Sequence, residues 1–196
     1  YRNPAMILSD GVIGQMMEKV EMSEQKPRWT DEEIKKNSPW ACTGKTNDRK
    51  QNIITSLALD AAVHEKLNER LQAKYKKMEE EDVLFDSYMT EDAEHLLVAY
   101  GSMSRICQSV VETARENGIK LGLLRPITLF PFANKEIDRL VPQLKSIMSV
   151  ELSAGQMVED VRLVVNGRIP VNFYGRLGGI VPSPEEVYEA FVKSIK

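Results

Sequence analysis

Short apolar runs alternate with amphipathic segments through the second half of the chain. The runs are residues 96–100, 121–124, 146–152 and 170–174. After each run, apolar residues recur every three or four positions on segments that start near residues 104, 134, 155 and 183. Continuous runs of this length predict buried strands, and the wider spacing predicts amphipathic helices.

This alternation predicts an α/β fold for residues 91–196, with a mostly parallel sheet and helices on both faces. Three helix ends carry local signals. Asn117-Gly118 is typical of a left-handed stop for the first helix, and Asn134 is expected to cap the start of the second. Ser183-Pro184-Glu185-Glu186 is a complete helix start for the fourth.

The first half of the chain is organised differently. Residues 5–10 form an apolar run that predicts a buried parallel strand, with a short helix or an exit strand at 13–20. No partner strand follows until residue 96, so we expect residues 1–22 to be the end of a truncated domain. Residues 1 to about 30 are then expected to be poorly anchored, or to pair with another copy.

Residues 23–90 are predicted to be a linker that contains a long helix, roughly 56–84. A narrow apolar stripe marks this helix: Leu59, Val63, Leu67, Leu71, Tyr75 and Met78. Trp29 and Trp40 lie in the polar stretch before it, where tryptophans anchor a segment either to the chain's own domains or to a partner.

Composition narrows the classes of function. The chain has 196 residues, 42% apolar and 28% charged, and a net charge of −3, which does not favour nucleic-acid binding. No apolar run is long enough for a membrane span. The two cysteines, Cys42 and Cys107, cannot form a disulfide framework or ligate a cluster alone. A cytoplasmic location is therefore expected.

Candidate binding residues lie in the loops expected outside the carboxyl ends of the strands. Gly101, Ser102 and Met103 begin a predicted helix, where backbone amides either hold an anion or form a plain tight turn. Gly155 and Gln156 offer a second such helix start. Arg125 is interpreted either as a partner for a ligand's carboxylate or phosphate or as half of a structural ion pair. No nucleotide-binding fingerprint is present.

Three stretches together resemble one family. Pro4-Ala5-Met6-Ile7-Leu8-Ser9-Asp10-Gly11 is similar to the end of the pyrimidine-binding domain of 2-oxoacid:ferredoxin oxidoreductase α chains. Leu97-Val98-Ala99-Tyr100-Gly101-Ser102 resembles the opening strand of their second domain. The most specific match is Gly122-Leu123-Leu124-Arg125-Pro126-Ile127-Thr128-Leu129-Phe130-Pro131-Phe132. The 2-oxoisovalerate or 2-oxoglutarate type is the most similar.

The resemblance implies a complex that oxidatively decarboxylates a 2-oxoacid to an acyl-coenzyme A and passes electrons through iron–sulfur clusters to ferredoxin. Thiamine diphosphate would lie between the α chain and a diphosphate-binding β subunit, with a γ subunit and a ferredoxin-type subunit as further partners. The end domain resembles the C-terminal domain of transketolases. No residue matches the family's thiamine-activating glutamate, so the chain is expected to be structural, inactive alone and without bound cofactor.

Two other classes stay open from the residues alone. One is a self-contained α/β domain that binds a small ligand with the 101–104 and 153–156 loops. The other is a purely structural interaction module.

Overall fold

The computed structural model describes residues 1–17, 19, 21–22, 24, 29–42, 44 and 50–196. The chain divides into two units. The first contains residues 1–16 and 74–196, and the second contains residues 17–73. Within the described residues, no helix is long and apolar enough to cross a membrane.

Helices and strands alternate along most of the first unit. Its elements are α1 (Gly11–Gln15), β1 (Phe85–Tyr88), β2 (His95–Val98), α4 (Gly101–Glu116), β3 (Leu121–Pro126), α5 (Asn134–Leu140), a 3₁₀ turn (Val141–Gln143), β4 (Ser146–Glu151), α6 (Met157–Val165), β5 (Val171–Gly175) and α7 (Pro184–Ser194). The second unit holds α2 (Asp31–Asn37), and α3 (Ala61–Glu81) belongs to the first unit from Lys74 onward.

Among the described residues, five strands form one sheet in the order β1-β3-β2-β4-β5. β2 pairs in parallel with both β3 and β4, and β4 pairs in parallel with β5. β1 is antiparallel to β3 at one edge. The predicted fold class, an α/β fold with a mostly parallel sheet, is confirmed.

Helices cover both faces of this sheet, as predicted. Along β2 and the residue after it, buried side chains alternate between two cores: Leu96 and Val98 face one, and Leu97 and Ala99 face the other. The first core is completed by α5 and α6, and the second by α4 and α7. Strands buried on both faces have apolar residues at most positions, which is why these strands are visible in the sequence as nearly continuous runs.

Two of the three predicted helix ends are confirmed. Gly118 adopts φ +77° after α4, and the Gly118 amide donates to the Arg115 carbonyl over 3.0 Å. At α7, the Glu186 amide donates to Ser183 Oγ over 3.3 Å while Glu186 accepts from the Ser183 amide over 2.8 Å. These reciprocal bonds satisfy amides that the first turn of a helix leaves unpaired.

The prediction that Asn134 caps α5 is wrong. Asn134 is the first helical residue, and Ala133 stands at the capping position with no side-chain bond. A side chain can cap a helix only when its own backbone lies just outside the helical conformation. The chain enters α5 one residue earlier than the asparagine signal indicates.

Strand β1 was missed by the sequence analysis. The sequence analysis placed residues 85–90 in the linker after the long helix, whereas Phe85–Tyr88 pairs with β3 from Pro126 back to Leu123. The sheet therefore begins six residues before the predicted domain boundary at 91. An edge strand of four residues, mostly exposed, shows neither a long apolar run nor clear alternation.

The strand predicted at residues 5–10 is also wrong. This segment forms no strand, and Met6, Ile7 and Leu8 are 81%, 97% and 75% exposed. A strand is stable only when a neighbour satisfies its backbone groups, and no described segment of this chain does so here. Gly11–Gln15 is helical, which agrees with the helical alternative for residues 13–15 only, since Met16 and Met17 are not helical and residues 18 and 20 lie outside the described residues.

The second unit contains a helix where an irregular linker was predicted. α2 starts with a capping box in which the Thr30 amide donates to Glu33 Oε2 over 2.8 Å and the Glu33 amide donates to Thr30 Oγ1 over 3.3 Å. Pro27, which precedes this helix in the predicted linker, lies outside the described residues. Trp29 and Trp40 are 45% and 41% exposed.

The long helix is shorter than predicted, and its apolar stripe is only partly covered. α3 begins at Ala61 rather than near 56 and ends at Glu81 rather than near 84. Met78 is buried, whereas Leu59 and Val63 are exposed. Near its end, the ring of Tyr75 meets that of Phe130 edge to face, with 5.9 Å between centroids.

We predict that Gly175→Ala destabilises the fold. A Cβ at this last residue of β5 would lie 2.4 Å from the Ser153 carbonyl oxygen and 2.5 Å from the Phe173 ring, so the backbone must move. Overpacking of this kind should lower the free energy of unfolding by about 2 kcal/mol, measured by urea denaturation. Gly14→Ala is the control, because a Cβ added there would have nothing within 4 Å. Equal stability of the two variants would contradict the prediction.

Candidate functional site

The strand order places one crevice at the centre of the sheet. From β2 the chain first moves to β3 on one side and later to β4 on the other. In open parallel sheets, ligands bind outside the carboxyl ends of strands at such a reversal. The loops that leave β2 and β4 there begin α4 at Gly101 and α6 at Met157. These are the two helix starts that the sequence analysis named as candidate binding loops, with a plain tight turn as the alternative.

The start of α6 holds a carboxylate of the chain itself. Glu151, the last residue of β4, is 1% exposed. Its Oε2 accepts from the amides of Gln156 and Met157, both over 3.0 Å, and its Oε1 accepts from the Val158 amide over 2.9 Å. Such amides and the helix dipole favour a negative charge at this position.

Two serine hydroxyls complete the surroundings of this carboxylate. Ser149 Oγ donates to Oε1 and Ser153 Oγ donates to Oε2, each over 3.0 Å. The Gly155 amide donates to Ser153 Oγ over 3.1 Å, so Gly155 and Gln156 both serve an internal anion. A ligand anion could use this helix start only by displacing a fully buried, hydrogen-bonded glutamate, which is costly.

The start of α4 is occupied in a similar way by Asp10. Asp10 Oδ2 accepts from Ser102 Oγ over 2.7 Å and from the Ser102 amide over 3.3 Å. Its Oδ1 accepts from the Ile13 amide over 2.8 Å and so caps α1. The Ile13 amide, followed by the Ser102 hydroxyl, holds the pKa of Asp10 below its usual value. One carboxylate therefore joins the segment 1–16 to the main sheet.

Gly101 and Met103, the other two predicted residues at this loop, have different surroundings. Gly101 adopts φ +57°, a conformation that favours glycine, and a Cβ there would approach Asp10 Oδ2 to 3.4 Å. The Met103 side chain is buried in the core between the sheet and α4, so it contributes packing. A ligand role for Gly101, Ser102 and Met103 stays a prediction.

Arg125 lies on β3, beside the antiparallel edge strand β1. It is directly paired with Asp86 in the antiparallel register of β1 and β3, and its Nη2 forms an ion pair with Asp86 Oδ2. The structural alternative for Arg125 is thus present, while its ligand role stays a prediction. Arg125 and Asp86 also line a cleft of about 490 Å³ between β1, β3 and α4.

Three other titratable groups have structural roles: Asp92 and Glu94 form ion pairs, and Cys107 is buried in the core. The guanidinium of Arg115, hydrogen-bonded over 2.8 Å, lowers the pKa of Asp92, and Lys145 lowers the pKa of Glu94. Burial raises the pKa of the Cys107 thiol, which keeps it protonated and unreactive. Among the described residues, no group of histidine, cysteine and carboxylate side chains could hold a metal ion.

Sequence reasoning missed Asp10 and Glu151 as the central charged groups. Asp10 was assigned to a strand, although Ser9-Asp10-Gly11 before an apolar segment is an ordinary N-cap signal. Glu151 was assigned to the interior of an apolar strand. A glutamate next to serines at the carboxyl end of a buried run is the available signal, because a buried carboxylate needs several donors nearby.

Comparison with known proteins gives one consistent family. Residues 93–187 match the model for pyruvate:ferredoxin oxidoreductase core domain II. The ketoisovalerate oxidoreductase subunit VorB of Methanothermobacter marburgensis is 45% identical over 91% of this chain and 49% of its own length. The chain belongs to the family of 2-oxoacid:ferredoxin oxidoreductase subunits.

More distant members of the family agree. The 2-oxoglutarate synthase subunit KorA of the same organism is 27% identical over 95% of this chain and 55% of its own length. A solved 2-oxoglutarate:ferredoxin oxidoreductase from Magnetococcus marinus superposes with a TM-score of 0.60 at 16% identity, over 71% of this chain and 24% of that chain. That likeness supports the α/β fold. The chain spans about half the length of the curated family members it matches.

We predict that Glu151→Gln destabilises this family member strongly. A glutamine keeps one carbonyl acceptor and places an NH₂ group against amide donors, so buried donors lose their partner. The free energy of unfolding should fall by about 2–3 kcal/mol in urea denaturation.

Glu159→Gln is the matched control, because Glu159 lies in the first turn of the same helix but is exposed and paired with Arg162. It should leave the free energy of unfolding nearly unchanged. Similar losses in both variants would show that helix-terminal charge alone, without burial, explains the effect.

We also predict a pH dependence for the contact of Asp10. Its pKa is lower in the folded chain than in the unfolded one, so its stabilising contribution is complete above the ordinary aspartate pKa. The contribution is lost as pH falls through the lowered value. Hydrogen exchange of the Ile13 and Ser102 amides should stay protected at neutral pH and become faster in acid than the intrinsic rates explain.

Asp10→Ala, which removes both acceptor oxygens, is the control for this titration. It should expose both amides already at neutral pH and remove their extra acid dependence. Unchanged protection of Ser102 in that variant would show that Asp10 does not hold the segment.

Proposed function

We propose that this chain is a structural and assembly part of a thiamine diphosphate-dependent complex that oxidatively decarboxylates a 2-oxoacid. The acyl group would be transferred to coenzyme A, and the electrons would pass through iron–sulfur clusters to ferredoxin. The observation that carries the proposal is the 45% identity to a ketoisovalerate oxidoreductase subunit over 91% of the chain.

The favoured substrate is 2-oxoisovalerate, a branched-chain 2-oxoacid. Identity to the ketoisovalerate subunits is 45% and 42%, against 27% for a 2-oxoglutarate subunit over a similar share of the chain. Closer sequence supports shared substrate class, although the pocket that selects the acyl chain is not identified among these residues.

A supporting role rather than a catalytic one is proposed because the crevice of the sheet is already filled. Glu151 satisfies the start of α6 and Asp10 satisfies the start of α4, so the positions where a domain of this topology binds an anion are used internally. In this proposal residues 1–22 end a pyrimidine-binding domain, 23–90 are a linker with a long helix, and 91–196 are the end domain.

Cofactors and partners follow from the same proposal. Thiamine diphosphate would be shared with a diphosphate-binding β subunit, and the iron–sulfur clusters would be held by other subunits. A γ subunit, a ferredoxin-type subunit and self-association complete the proposed assembly in the cytoplasm, where the free thiols of Cys42 and Cys107 stay reduced. The chain itself would bind no cofactor.

No observation favours the competing function. In that reading the chain is a self-contained domain that binds a small ligand through the 101–104 and 153–156 loops. Both loops direct amides to carboxylates of this chain. A ligand there would have to replace hydrogen bonds that already exist.

The test is an activity assay with and without the partner subunits. We predict that the chain alone does not reduce methyl viologen with 2-oxoisovalerate, thiamine diphosphate and coenzyme A. Co-expression with the remaining subunits of a ketoisovalerate oxidoreductase should give a complex that does so, with a higher kcat/KM for 2-oxoisovalerate than for 2-oxoglutarate. Turnover by the chain alone would refute the supporting role, and failure to join such a complex would refute the assignment.

A further inference from the structure

A cleft opens where α3 ends, between the last turn of that helix, the start of β1 and the start of α5. It is lined by residues 79–81, by Val83 and Phe85, and by residues 132–136. Its volume is about 300 Å³, the lower limit of the roughly 300–1,000 Å³ that small-molecule sites occupy. The cleft therefore has room for a few side chains rather than for a whole cofactor.

The floor of this cleft is apolar. Phe132 and Ala133 belong to the first core of the sheet, and Val83 packs against that core. Phe85, the first residue of β1, is 37% exposed. The edge of the core is thus open to the surface here, and an apolar group placed over it would be removed from water.

The wall formed by α3 is acidic. The last turn of this helix contains Glu79, Glu80 and Glu81 and no basic residue. Carboxylates are unfavourable there, because the free carbonyl groups at a helix C-terminus carry partial negative charge. Glu81 is compensated by Lys77 at 3.7 Å. Within the part of the chain that the structure describes, Glu79 and Glu80 have neither a hydrogen bond nor an ion pair.

The opposite wall does not compensate these charges fully. Glu136 accepts two hydrogen bonds from Arg139, over 2.9 and 2.6 Å, so this carboxylate is already paired. Lys135 adds one positive charge to the lining, against the two unpaired carboxylates of Glu79 and Glu80. The cleft therefore combines an apolar floor with an excess of negative charge.

Charge complementarity decides between possible occupants. A second copy of the chain, docked face to face, would bring the same carboxylates together, and like charges across an interface are repulsive. Lysine and arginine side chains fit both features of the cleft. Their aliphatic stems cover apolar surface while the cationic head reaches a carboxylate, and a cation is also attracted to the face of an aromatic ring.

We propose that this acidic cleft docks a basic segment of another subunit, with a side-chain stem over Phe85 and Phe132 and its cationic head at Glu79 and Glu80. The proposal rests on the proposed function, which supplies the other subunits. It gives a reason for two unpaired carboxylates at a helix end that they destabilise, because their favourable partner lies on another chain. Local rules of this kind are typically broken at functional surfaces.

The test measures the Kd between the full chain and the remaining subunits of a ketoisovalerate oxidoreductase by biolayer interferometry. The double variant Glu79→Gln, Glu80→Gln should bind roughly tenfold more weakly at low salt. The difference from the unmodified chain should shrink at high salt, where exposed charges are screened.

The thermal stability of the same variant separates docking from a structural role. Its melting temperature should be equal to or higher than that of the unmodified chain, because two carboxylates leave a helix C-terminus. A lower melting temperature together with weaker binding would show that the glutamates support the fold instead, and would overturn the proposal.

The double variant Glu116→Gln, Glu189→Gln is the matched control. Glu116 is the last residue of α4 and Glu189 lies on α7, and both are exposed and away from the cleft lining. This variant should leave the Kd unchanged, and equal weakening by it would overturn the docking site.

The remaining outcomes distinguish this inference from the function on which it rests. If the unmodified chain does not bind the other subunits, the proposed function fails and the docking site fails with it. If the subunits bind and the changes at Glu79 and Glu80 have no effect, only the docking site is refuted. Self-association of the chain that is lost in the Glu79, Glu80 variant, measured by analytical ultracentrifugation, would identify a second copy as the occupant and overturn the choice of partner.

Discussion

The buried carboxylate of Glu151 joins the central sheet to the helix that covers one of its faces. β4 lies between β2 and β5, and its last side chain reaches the first amides of α6. A charge this deeply buried is stable only when donors surround it, and the amides of α6 together with Ser149 and Ser153 supply them. The position of α6, and the first core beneath it, depend on this arrangement.

Much of the fold could be predicted because a buried strand is recognisable in the sequence as a run of apolar residues. β2, β3, β4 and β5 have apolar residues on both faces, so each is visible without knowledge of its neighbours. β1 could not be predicted in this way, since an exposed edge strand of four residues is recognisable only beside β3. The error at residues 5–10 has the opposite cause: the apolar run is real, but strand formation depends on a partner.

The location of the candidate site could be predicted from the sequence, but the groups that occupy it could not. The starts of α4 and α6 follow from strand–helix alternation, and anion binding there follows from general backbone physics. Which anion fills them depends on contacts between distant residues. Asp10 lies 92 positions before Ser102, and the sequence pattern contains no sign of that pairing. Arg125 itself was a candidate from the sequence, but its partner Asp86 could be identified only once β1 was known.

The occupied crevice has a consequence for how the domain responds to its surroundings. When a helix start is satisfied by a dissolved phosphate, its occupancy depends on the phosphate concentration. The helix is then stabilised only while the ligand is bound. Glu151 is covalently part of the chain and cannot diffuse away, be diluted or be outcompeted at ordinary concentrations. The sheet and α6 therefore keep the same relative geometry whatever the concentration of dissolved anions around the domain.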